Sequence, residues 1–560
     1  ADYAASGCME KIEQTPYDNE QCISDKVLEK FKVNNWSLNP VQKYMIDKAN
    51  SNLIVVASTG IGKTEGALLW TKDTKCFYTL PLRVSINSIY ERIRGDYDYG
   101  YSELLHSDSL TYYIKEYGSK ECKSVEPYLR YQQAKIFASL LTICTVDQLF
   151  KFVFKANGFE PMLATLAYST VIIDELQMYS PEVVACILCG LKQITDIGGK
   201  YAIITATFPK VLFDFMTKLR IPYEMPQKPF SSEIGHRHFI ELNEGEMDYN
   251  LIMSLGKEKK VLVIANTVAK VQKIYEILKD EDVSISLLHS NYLAKDRKLL
   301  EKEIISFSNC KKRIKEKGIW ISTQIVEASL DIDFDLLFTE MCIADSLLQR
   351  MGRCYRKREY LYKGKPNVYI YDTGNGVGTV YDKELYMFSL ESLKEYSGKY
   401  FTEEMKYEYI DKVYSPELNP DIRRTKYYKV IEERLNILKY LKPMQLEKSY
   451  VDQKFRDIRS VTVMPDKIYD KLLNSNAIDN WEKQLSEKKI TIQKKACIVS
   501  EIMENTLNIR WHLNMEVDFS SEIIFKGSRI YRCRYLYDFD EKELKGEGLL
   551  VSKSFSDNIQ

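Results

Sequence analysis

A glycine-rich stretch, ASTGIGKTE at residues 57–65, narrows the choice of fold at once. It follows an apolar run at 53–56 and precedes a segment of helical character at 65–70. A strand, a glycine turn and a helix N-terminus in that order cradle a phosphate, because backbone N–H groups and the helix dipole face the anion. Ala57 stands where the strict pattern has glycine, and an ordinary glycine loop before a helix is the alternative. We expect the phosphates of a nucleotide at Ser58, Thr59, Gly60, Ile61, Gly62, Lys63 and Thr64, with Lys63 on the β- and γ-phosphates and the Thr64 hydroxyl on magnesium.

Length and composition indicate a globular protein of two to four domains, because 560 residues exceed a single core. The formal net charge is zero, so a nucleic-acid site would have to be a local stripe of positive charge. The 12 cysteines show no disulfide spacing, and we expect a cytoplasmic protein. The longest uncharged runs, 49–62 and 161–173, are shorter than the ~20 residues that a membrane span needs. Residues 1–8 precede Met9 and resemble the remnant of a tag.

Apolar strands alternate with amphipathic helices in two successive series, which predicts two α/β units with parallel, doubly wound sheets. The first series has strand candidates at 53–56, 76–80, 141–145, 171–173 and 201–205. The second has candidates at 261–265, 285–288, 318–322, 336–339 and 368–371. We therefore predict domain 1 at 9–232, domain 2 at 233–378, a helical linker at 379–445 and a small α+β C-terminal domain at 446–560. Strands of that last domain are expected at 460–463, 522–525 and 529–535.

Two adjacent carboxylates, Asp174 and Glu175, end the buried strand candidate at 171–173. The carboxyl end of a strand in an α/β sheet is where ligands bind. One carboxylate is suited to hold magnesium, and the next is suited to orient or deprotonate an attacking water. Thr205 and Thr207 close the last strand of the same unit. Their hydroxyls are candidates for linking the nucleotide site to a nucleic-acid site, with helix capping as the alternative.

The second unit contains the segment QRMGRCYR at 349–356. Arg353 and Arg356 are spaced i and i+3, which predicts that they share one face of a helix. Two guanidinium groups on one face suit a phosphate chain, and an arginine from a neighbouring domain can neutralise charge on the γ-phosphate. A solvated helix face is the alternative.

These motifs together resemble those of superfamily 2 helicases. The set comprises NPVQ at 39–42, the phosphate loop, DELQ at 174–177, TAT at 205–207 and the segment 349–356. More narrowly, the chain resembles the helicase of type I CRISPR interference, which the Cascade surveillance complex recruits. The narrower likeness rests on residues 322–335, LPLR at 80–83, TVDQL at 145–149, LHS at 288–290, FRDIR at 455–459 and TVMP at 462–465.

The resemblance implies two RecA-like domains that close on ATP and open after hydrolysis. It implies an ATPase centre of Lys63, Thr64, Asp174 and Glu175, with Mg²⁺ on Thr64 and Asp174. Gln42 would read adenine, and Asp331, Gln349, Arg353 and Arg356 would complete the centre across the cleft. Thr205 and Thr207 would couple it to single-stranded DNA. The implied strand-binding face consists of Pro81, Leu82, Arg83, Thr145, Asp147, Gln148, Asn266, Thr267, His289 and Thr323.

One part of the family pattern is missing from this sequence, the metal-dependent HD nuclease with its clustered His and Asp. The chain has five histidines, none followed by Asp, and the pair His236 and His238 is predicted to alternate along a strand in a structural role. We expect the nuclease to be a separate subunit, or the sequence to be part of a longer chain. The expected function is that of an ATP-dependent DNA translocase and helicase acting with Cascade. The alternatives are a superfamily 2 RNA helicase and a nucleotide-gated binding subunit that does not unwind.

Overall fold

The computed structural model describes residues 22–117, 126–231, 234–279, 282–309, 317–327, 330–362, 364–447, 451, 455, 460–487, 490–510, 515–520, 522–524 and 528–554. Its strands form two large sheets, a smaller four-stranded sheet and a two-stranded ribbon. Parts of two motifs behind the narrower family likeness, Ala328 and Ser329 in the first and 456–459 in the second, lie outside the described residues.

The first sheet, the centre of domain 1, has six parallel strands in the order β1-β6-β5-β2-β4-β3. Helices cover both faces, and strands buried on both faces read as continuous apolar runs. That is why β1, with the sequence LIVV, is buried throughout. The strands are β1 (Leu53–Val56), β2 (Lys75–Leu80), β3 (Ser102–Leu105), β4 (Leu141–Thr145), β5 (Ser169–Asp174) and β6 (Lys200–Thr205). The helices are Ile23–Val33, Pro40–Asp47, Lys63–Trp70, Arg83–Asp96, Ser109–Tyr117, Glu126–Lys135, Val146–Leu149, Phe159–Leu166, Pro181–Asp196 and Leu212–Leu219.

The second sheet, the centre of domain 2, has the order β13-β7-β12-β11-β8-β10-β9. Its strands are parallel except for the short edge strand β13, which pairs antiparallel with β7. The strands are β7 (Phe239–Glu244), β8 (Lys260–Ile264), β9 (Ile285–Leu288), β10 (Gly318–Ser322), β11 (Leu336–Glu340), β12 (Val368–Asp372) and β13 (Lys399–Tyr400). The helices are Tyr249–Gly256, Val268–Leu278, Ala294–Asn309 and Ala344–Met351.

The helical linker returns from domain 2 to domain 1. Its helices are Lys383–Leu393, Glu403–Tyr414 and Lys426–Tyr440. The last of these packs on Pro181–Asp196, and the rings of Phe215 and Tyr428 lie 4.5 Å apart between their centroids.

The C-terminal region combines the four-stranded sheet, in the order β15-β14-β17-β16, with the ribbon of β18 and β19, called the C-terminal ribbon below. The strands are β14 (Ser460–Pro465), β15 (Leu507–Arg510), β16 (Val517–Asp518), β17 (Ile530–Cys533), β18 (Tyr535–Asp540) and β19 (Lys545–Ser554), and the helices are Asp466–Asn474, Ala477–Leu485 and Ile492–Glu504.

The ten strand candidates of the two α/β units all correspond to observed strands, but several other expectations were wrong. Residues 522–524 form no strand, and the expected strand at 529–535 is divided between β17 and β18. His236 and His238 precede β7 instead of alternating along it. The strands β3 and β7 were not expected, because charged residues interrupt their apolar pattern. In β3 the interruption is Glu103, which is buried with Arg130 and Tyr113 as its partners.

A glycine inside Pro181–Asp196 gives a test of this packing. Alanine is favoured over glycine in a helix by about 1 kcal/mol, but a Cβ on Gly190 would lie 2.4 Å from Cδ1 of Phe150. Overpacking of that kind costs roughly 1–3 kcal/mol, so we expect Gly190→Ala to lower the unfolding temperature. Gly95→Ala, in Arg83–Asp96, is the matched control, because a Cβ there meets nothing within 4 Å. A calorimetric scan in which Gly190→Ala is stabilising would contradict this account of the packing.

Candidate nucleotide-binding active site

The phosphate loop, residues 57–64, connects β1 to the helix Lys63–Trp70 and needs glycine at two positions. Gly60 has φ 81° and Gly62 has φ 85°, values that favour glycine. Gly62 is also constrained by space, since a Cβ there would lie 2.7 Å from Nε2 of Gln42. Behind the loop, Asn39 Nδ2 donates to the carbonyl of Ile61 at 2.6 Å. The loop is therefore held from behind, as a cradle for phosphate must be.

Gln42 uses both ends of its side-chain amide within the protein. Its Oε1 accepts the backbone N–H of Asn39 at 3.0 Å, and its Nε2 lies 3.5 Å from the carbonyl oxygen of Gly62. Together with Asn39 it forms the cap of the helix Pro40–Asp47. The structure thus places Gln42 against the phosphate loop, and its reading of adenine stays a prediction.

An ion pair joins the loop to the strand-end carboxylates. Lys63 Nζ lies 2.9 Å from Oε1 of Glu175. The other oxygen of Glu175 accepts Gln177 Nε2 at 2.6 Å and the backbone N–H of Ala206 at 3.1 Å. Burial acts to raise the pKa of Glu175, but Lys63 and these hydrogen bonds outweigh it and hold the pKa below its ordinary value. Glu175 is therefore ionised and fixed in orientation, as a residue that orients or deprotonates water must be.

Asp174 has the opposite electrostatic environment. Its Oδ2 accepts the hydroxyl of Tyr78 at 2.9 Å. Burial, followed by the neighbouring charge of Glu175, raises the pKa of Asp174 to about 7. A cation beside Asp174 would reverse that shift. Asp174 and Thr64 line the same cavity, and carboxylate and hydroxyl oxygens are ligands of the kind that Mg²⁺ prefers, so the residues fit the predicted metal.

Thr205 and Thr207 lie where domain 1 faces domain 2. The Thr205 hydroxyl is 3.2 Å from Oε2 of Glu175, and the Thr207 hydroxyl donates to Asp345 at 3.1 Å. Asp345 belongs to the helix Ala344–Met351 of domain 2, and burial raises its pKa to about 6. The two threonines thus connect a strand-end carboxylate with the second domain, although their coupling role stays a prediction.

The arginines do not share a helix face, which corrects the expectation from their spacing. The helix Ala344–Met351 ends before the arginine segment, residues 353–356, in which Tyr355 has φ 49°. The irregular backbone still brings both side chains together. Arg353 Nη1 donates to the carbonyl of Leu330 at 2.7 Å, and Arg356 Nη1 donates to the same oxygen at 3.2 Å.

Arg353 is a buried cation held mainly by carbonyl oxygens. Its Nη2 donates to Glu327 O, while its Nε has no hydrogen-bond partner among the described residues. Burial, with the neighbouring charge of Arg356 second, lowers the pKa of Arg353 to about 9. A buried donor left unsatisfied calls for a ligand or a functional role, and an anion in the cleft would supply the missing charge.

Both domains line one cavity of about 460 Å³. Gln349 Nε2 reaches across it to within 3.4 Å of Oε2 of Glu175. The cavity brings together most of the predicted site, namely Thr59, Gly60, Gly62, Lys63, Thr64, Pro81, Asp174, Glu175, Asp331, Gln349, Arg353 and Arg356. Asp331 pairs with Arg356 at its rim. Ser58, Ile61 and Gln42 do not line the cavity, and Ser58 bonds to Glu403 of the linker.

The predicted strand-binding residues follow the carboxyl ends of neighbouring strands, and five of the ten are buried in this structure. His289 is fully buried beneath the C-terminal ribbon, where its Nε2 is 3.0 Å from Glu547 O. The side chain of Asn266 is also enclosed, with partners at Arg350, Met341 and Asn375. Both side chains are therefore enclosed in this arrangement, and their place on a strand-binding face stays a prediction. The others lie after β2 (Pro81, Leu82, Arg83), β4 (Thr145, Asp147, Gln148), β8 (Thr267) and β10 (Thr323). Three of these eight residues are buried, namely Pro81, Thr145 and Thr323. The other five are at least partly exposed.

Arg350 was overlooked as a site residue, although it lies between Gln349 and Arg353. It is fully buried, and its five N–H groups all have acceptors. The sequence signal was the position of Arg350 on the same helix face as the apolar Leu347, three residues away, which indicates burial instead of solvation.

Comparison with known proteins identifies the family. A family profile described as "DEAD/DEAH box helicase" matches residues 39–215, and one described as "CRISPR-associated nuclease/helicase Cas3, C-terminal" matches residues 257–359. The Cas3 nuclease/helicase of Methanothermobacter thermautotrophicus is 30% identical over 464 residues, covering 79% of this chain and 54% of the relative. The chain belongs to the Cas3-like helicases. This Cas3-like chain is also 26% identical to the Escherichia coli Cas3 over 54% of its own length and 40% of the relative.

Solved Cas3 structures share the fold. The crystal structure of T. fusca Cas3 with AMPPNP superposes with a TM-score of 0.72 at 14% identity, covering 94% of this chain and 70% of that one. A crystal structure of a CRISPR-associated protein gives 0.71 at 17% identity, covering 97% and 71%. The likeness confirms the predicted fold class of two RecA-like domains. The Cas3-like chain spans about half the length of the curated relatives it matches.

Two features are absent from the part of this Cas3-like helicase that the structure describes. No helix among them has the length and apolar character needed to cross a bilayer. Within the same residues, no group of three or more His, Cys, Asp or Glu side chains is arranged to hold a metal ion. His512 lies outside the described residues.

The two loop glycines generate a matched pair of variants. Gly62→Ala combines a positive φ with the close approach of Gln42, whereas Gly60→Ala introduces the positive φ alone, with nothing within 4 Å. We expect Gly62→Ala to weaken nucleotide binding at least tenfold and Gly60→Ala to weaken it less, because strain of this kind costs about 1–3 kcal/mol. Titration with a fluorescent ATP analogue measures both. Equal losses in the two variants would contradict the role of the Gln42 contact.

Proposed function

We propose that the chain is an ATP-dependent translocase and helicase on single-stranded DNA that acts in type I CRISPR interference. One observation carries the proposal. Lys63 and Glu175 of domain 1 face Gln349 and Arg353 of domain 2 across one cavity. Two domains that close on one nucleotide convert its binding and hydrolysis into relative motion, which is what a translocase requires.

The residues of the cavity divide the chemistry among them. Lys63 would exchange its partner Glu175 for the β- and γ-phosphates, which leaves Oε1 of Glu175 free to accept a proton from water. Arg353 and Arg356 would neutralise the charge that develops on the γ-phosphate, an effect worth about 10³–10⁵ in rate for the arginine fingers of GTPases. Thr64 and Asp174 would hold Mg²⁺, which would supply positive charge to the phosphates.

The partners follow from the family. One structural match is described as "CRISPR RNA-guided surveillance complex, pre-nicking", with a TM-score of 0.57 and 16% identity, which supports Cascade as the recruiting complex. The curated relatives are named nuclease/helicases, and we assign cleavage of the DNA to a separate HD-domain nuclease. The remainder of a longer chain is the alternative source of that nuclease.

Two rival functions remain for the same cavity. A superfamily 2 RNA helicase would use the same ATPase centre on another strand, but DELQ at 174–177 differs from the DEAD sequence of the largest RNA-helicase group. A nucleotide-gated binding subunit would hold displaced DNA without turnover. The ionised Glu175 facing Arg353 favours a working centre over that second rival.

ATP hydrolysis measured without nucleic acid, with single-stranded DNA and with single-stranded RNA, at one salt concentration, separates these functions. We expect strong stimulation by DNA and little by RNA. Stimulation by RNA alone would establish the RNA helicase, and binding of DNA without turnover in any mixture would leave a binding subunit or a motor that waits for its partner.

Two substitutions test the assignments within the centre. Lys63→Ala should abolish turnover, because it removes the cation that holds the phosphates. Glu175→Gln should keep ATP binding while lowering kcat about 10²–10⁴-fold, because the amide cannot accept the proton from water. Binding titrations and steady-state rates measure both effects, with thermal unfolding as the check on folding. Near-normal hydrolysis in Lys63→Ala would contradict the phosphate-loop assignment.

A further inference from the structure

A buried group of charged side chains lies behind the nucleotide cleft, outside the predicted site. This charge cluster consists of Arg237, His238, Glu403 and Lys406, and each has less than 14% of its side chain exposed. Glu403 is its centre, because Oε1 accepts Arg237 Nη2 at 2.5 Å and also pairs with Lys406. Its other oxygen, Oε2, accepts the hydroxyl of Ser58 at 2.7 Å. The cluster therefore binds the phosphate loop directly.

The same cluster holds the arginine segment from the other side of the cleft. His238 Nε2 is 2.8 Å from the carbonyl oxygen of Cys354, and Arg237 Nη1 is 3.4 Å from that of Arg356. His238 Nδ1 in turn lies 3.0 Å from Lys406 Nζ. Backbone within the segment 353–356 is thus connected through Arg237, His238 and Lys406 to Glu403, and through Glu403 to Ser58.

The protonation states agree with this chain of contacts. Burial, followed by the charges of Lys406 and Arg237, lowers the pKa of His238 well below its ordinary value, so the imidazole is neutral. A neutral ring that donates from Nε2 to the Cys354 carbonyl accepts at Nδ1, and the ammonium of Lys406 is the donor there. Every contact in the cluster then has one donor and one acceptor.

Stability alone does not account for such a cluster. Charges taken out of water carry a desolvation cost, and apolar side chains of similar volume often stabilise a core as well or better. A buried ionic network instead restricts geometry, because its hydrogen bonds are satisfied in one arrangement only. Here the network restricts the phosphate loop and the arginine segment, which face each other across the nucleotide cavity.

We propose that Glu403 is a positioning residue, which holds the phosphate loop and the arginine segment in register for ATP hydrolysis. The inference rests on the proposed ATPase function and deepens it. Glu403 opens the helix Glu403–Tyr414 of the linker, so a movement of that helix would reach both sides of the cleft at once.

Steady-state ATP hydrolysis with single-stranded DNA provides the first test, on Glu403→Gln, Ser58→Ala and the double variant. Because the lost bond involves a charged group, we expect kcat to fall about ten- to hundredfold, with KM for ATP within about threefold. The double variant should lose no more than the more severe single variant, since both changes break one contact. Glu404→Gln, the exposed neighbour on the same helix, is the matched control and should hydrolyse ATP normally. Multiplied losses in the double variant, or normal turnover in Glu403→Gln, would overturn the proposal.

Hydrogen exchange of the folded chain provides a test that needs no turnover. Glu403→Gln should accelerate amide exchange in peptides that cover 57–64 and 353–358, and Glu404→Gln should accelerate neither. Acceleration spread over the whole chain would show a merely structural role, and unchanged exchange at both segments would show no link; either result overturns the proposal. If the wild-type chain fails to hydrolyse ATP, the proposed function is wrong. Hydrogen exchange at the two segments would still test whether Glu403 positions them.

Discussion

The buried guanidinium of Arg350 sets the geometry of domain 2. Its Nε donates to Glu327 at 2.7 Å, its Nη1 to Thr339 Oγ1 and Glu340 O, and its Nη2 to Asn266 and Tyr381. These acceptors come from the ends of β8 and β11, the segment after β10 and the start of the linker. A buried cation is tolerated only when its donors are satisfied, so these segments keep one arrangement. Gln349 and Arg353 flank Arg350 and take their positions in the cleft from it.

The two α/β domains meet through a small number of polar contacts at the cleft. Thr207 bonds to Asp345, and Gln349 approaches Glu175. Domains of one chain that meet through polar contacts are expected to move relative to each other. The linker, by contrast, packs against domain 1 through apolar side chains such as Ile431 and Leu438. The linker therefore joins the two domains, because its last helix packs on domain 1 while its strand β13 pairs with β7 of domain 2.

Local patterns in the sequence predicted the fold and the chemical groups, because both are encoded over a few residues. A strand that is buried on both faces reads as a run of apolar residues. Glycine is needed at position 62 because the backbone of the loop has a positive φ of 85° there. The strands β3 and β7 were not predicted because charged residues interrupt their apolar patterns. The buried partners that compensate such residues, such as Arg130 for Glu103, are not evident from the pattern of the strand itself. The end of the helix at Met351 was not predicted, because the i and i+3 spacing of the arginines does not show where the helix ends.

Long-range contacts were beyond the reach of such patterns. Ser58 and Glu403 are 345 positions apart, and His289 and Glu547 are 258 apart. Nothing near His289 indicates that a ribbon will cover it, and nothing near Ser58 indicates that its hydroxyl will turn away from the cavity. Residues that approach each other only in the folded chain can be assigned to a site from their contacts, as Arg350 and Glu403 are here.

The covering of His289 bears on how a strand would lie across the two domains. The C-terminal ribbon fits closely there, since a Cβ on Gly548 would lie 2.6 Å from Asn291 O, and Gln272 Nε2 donates to the ribbon carbonyls of Glu547 and Leu549. Two strands away in the same sheet, after β8, Asn266 is occupied by Arg350. The partly exposed predicted contacts are therefore mostly on domain 1, where Arg83 and Gln148 follow adjacent strands, with Thr267 across the cleft. A strand on the proposed path would therefore find more of its exposed contacts on domain 1 than on domain 2.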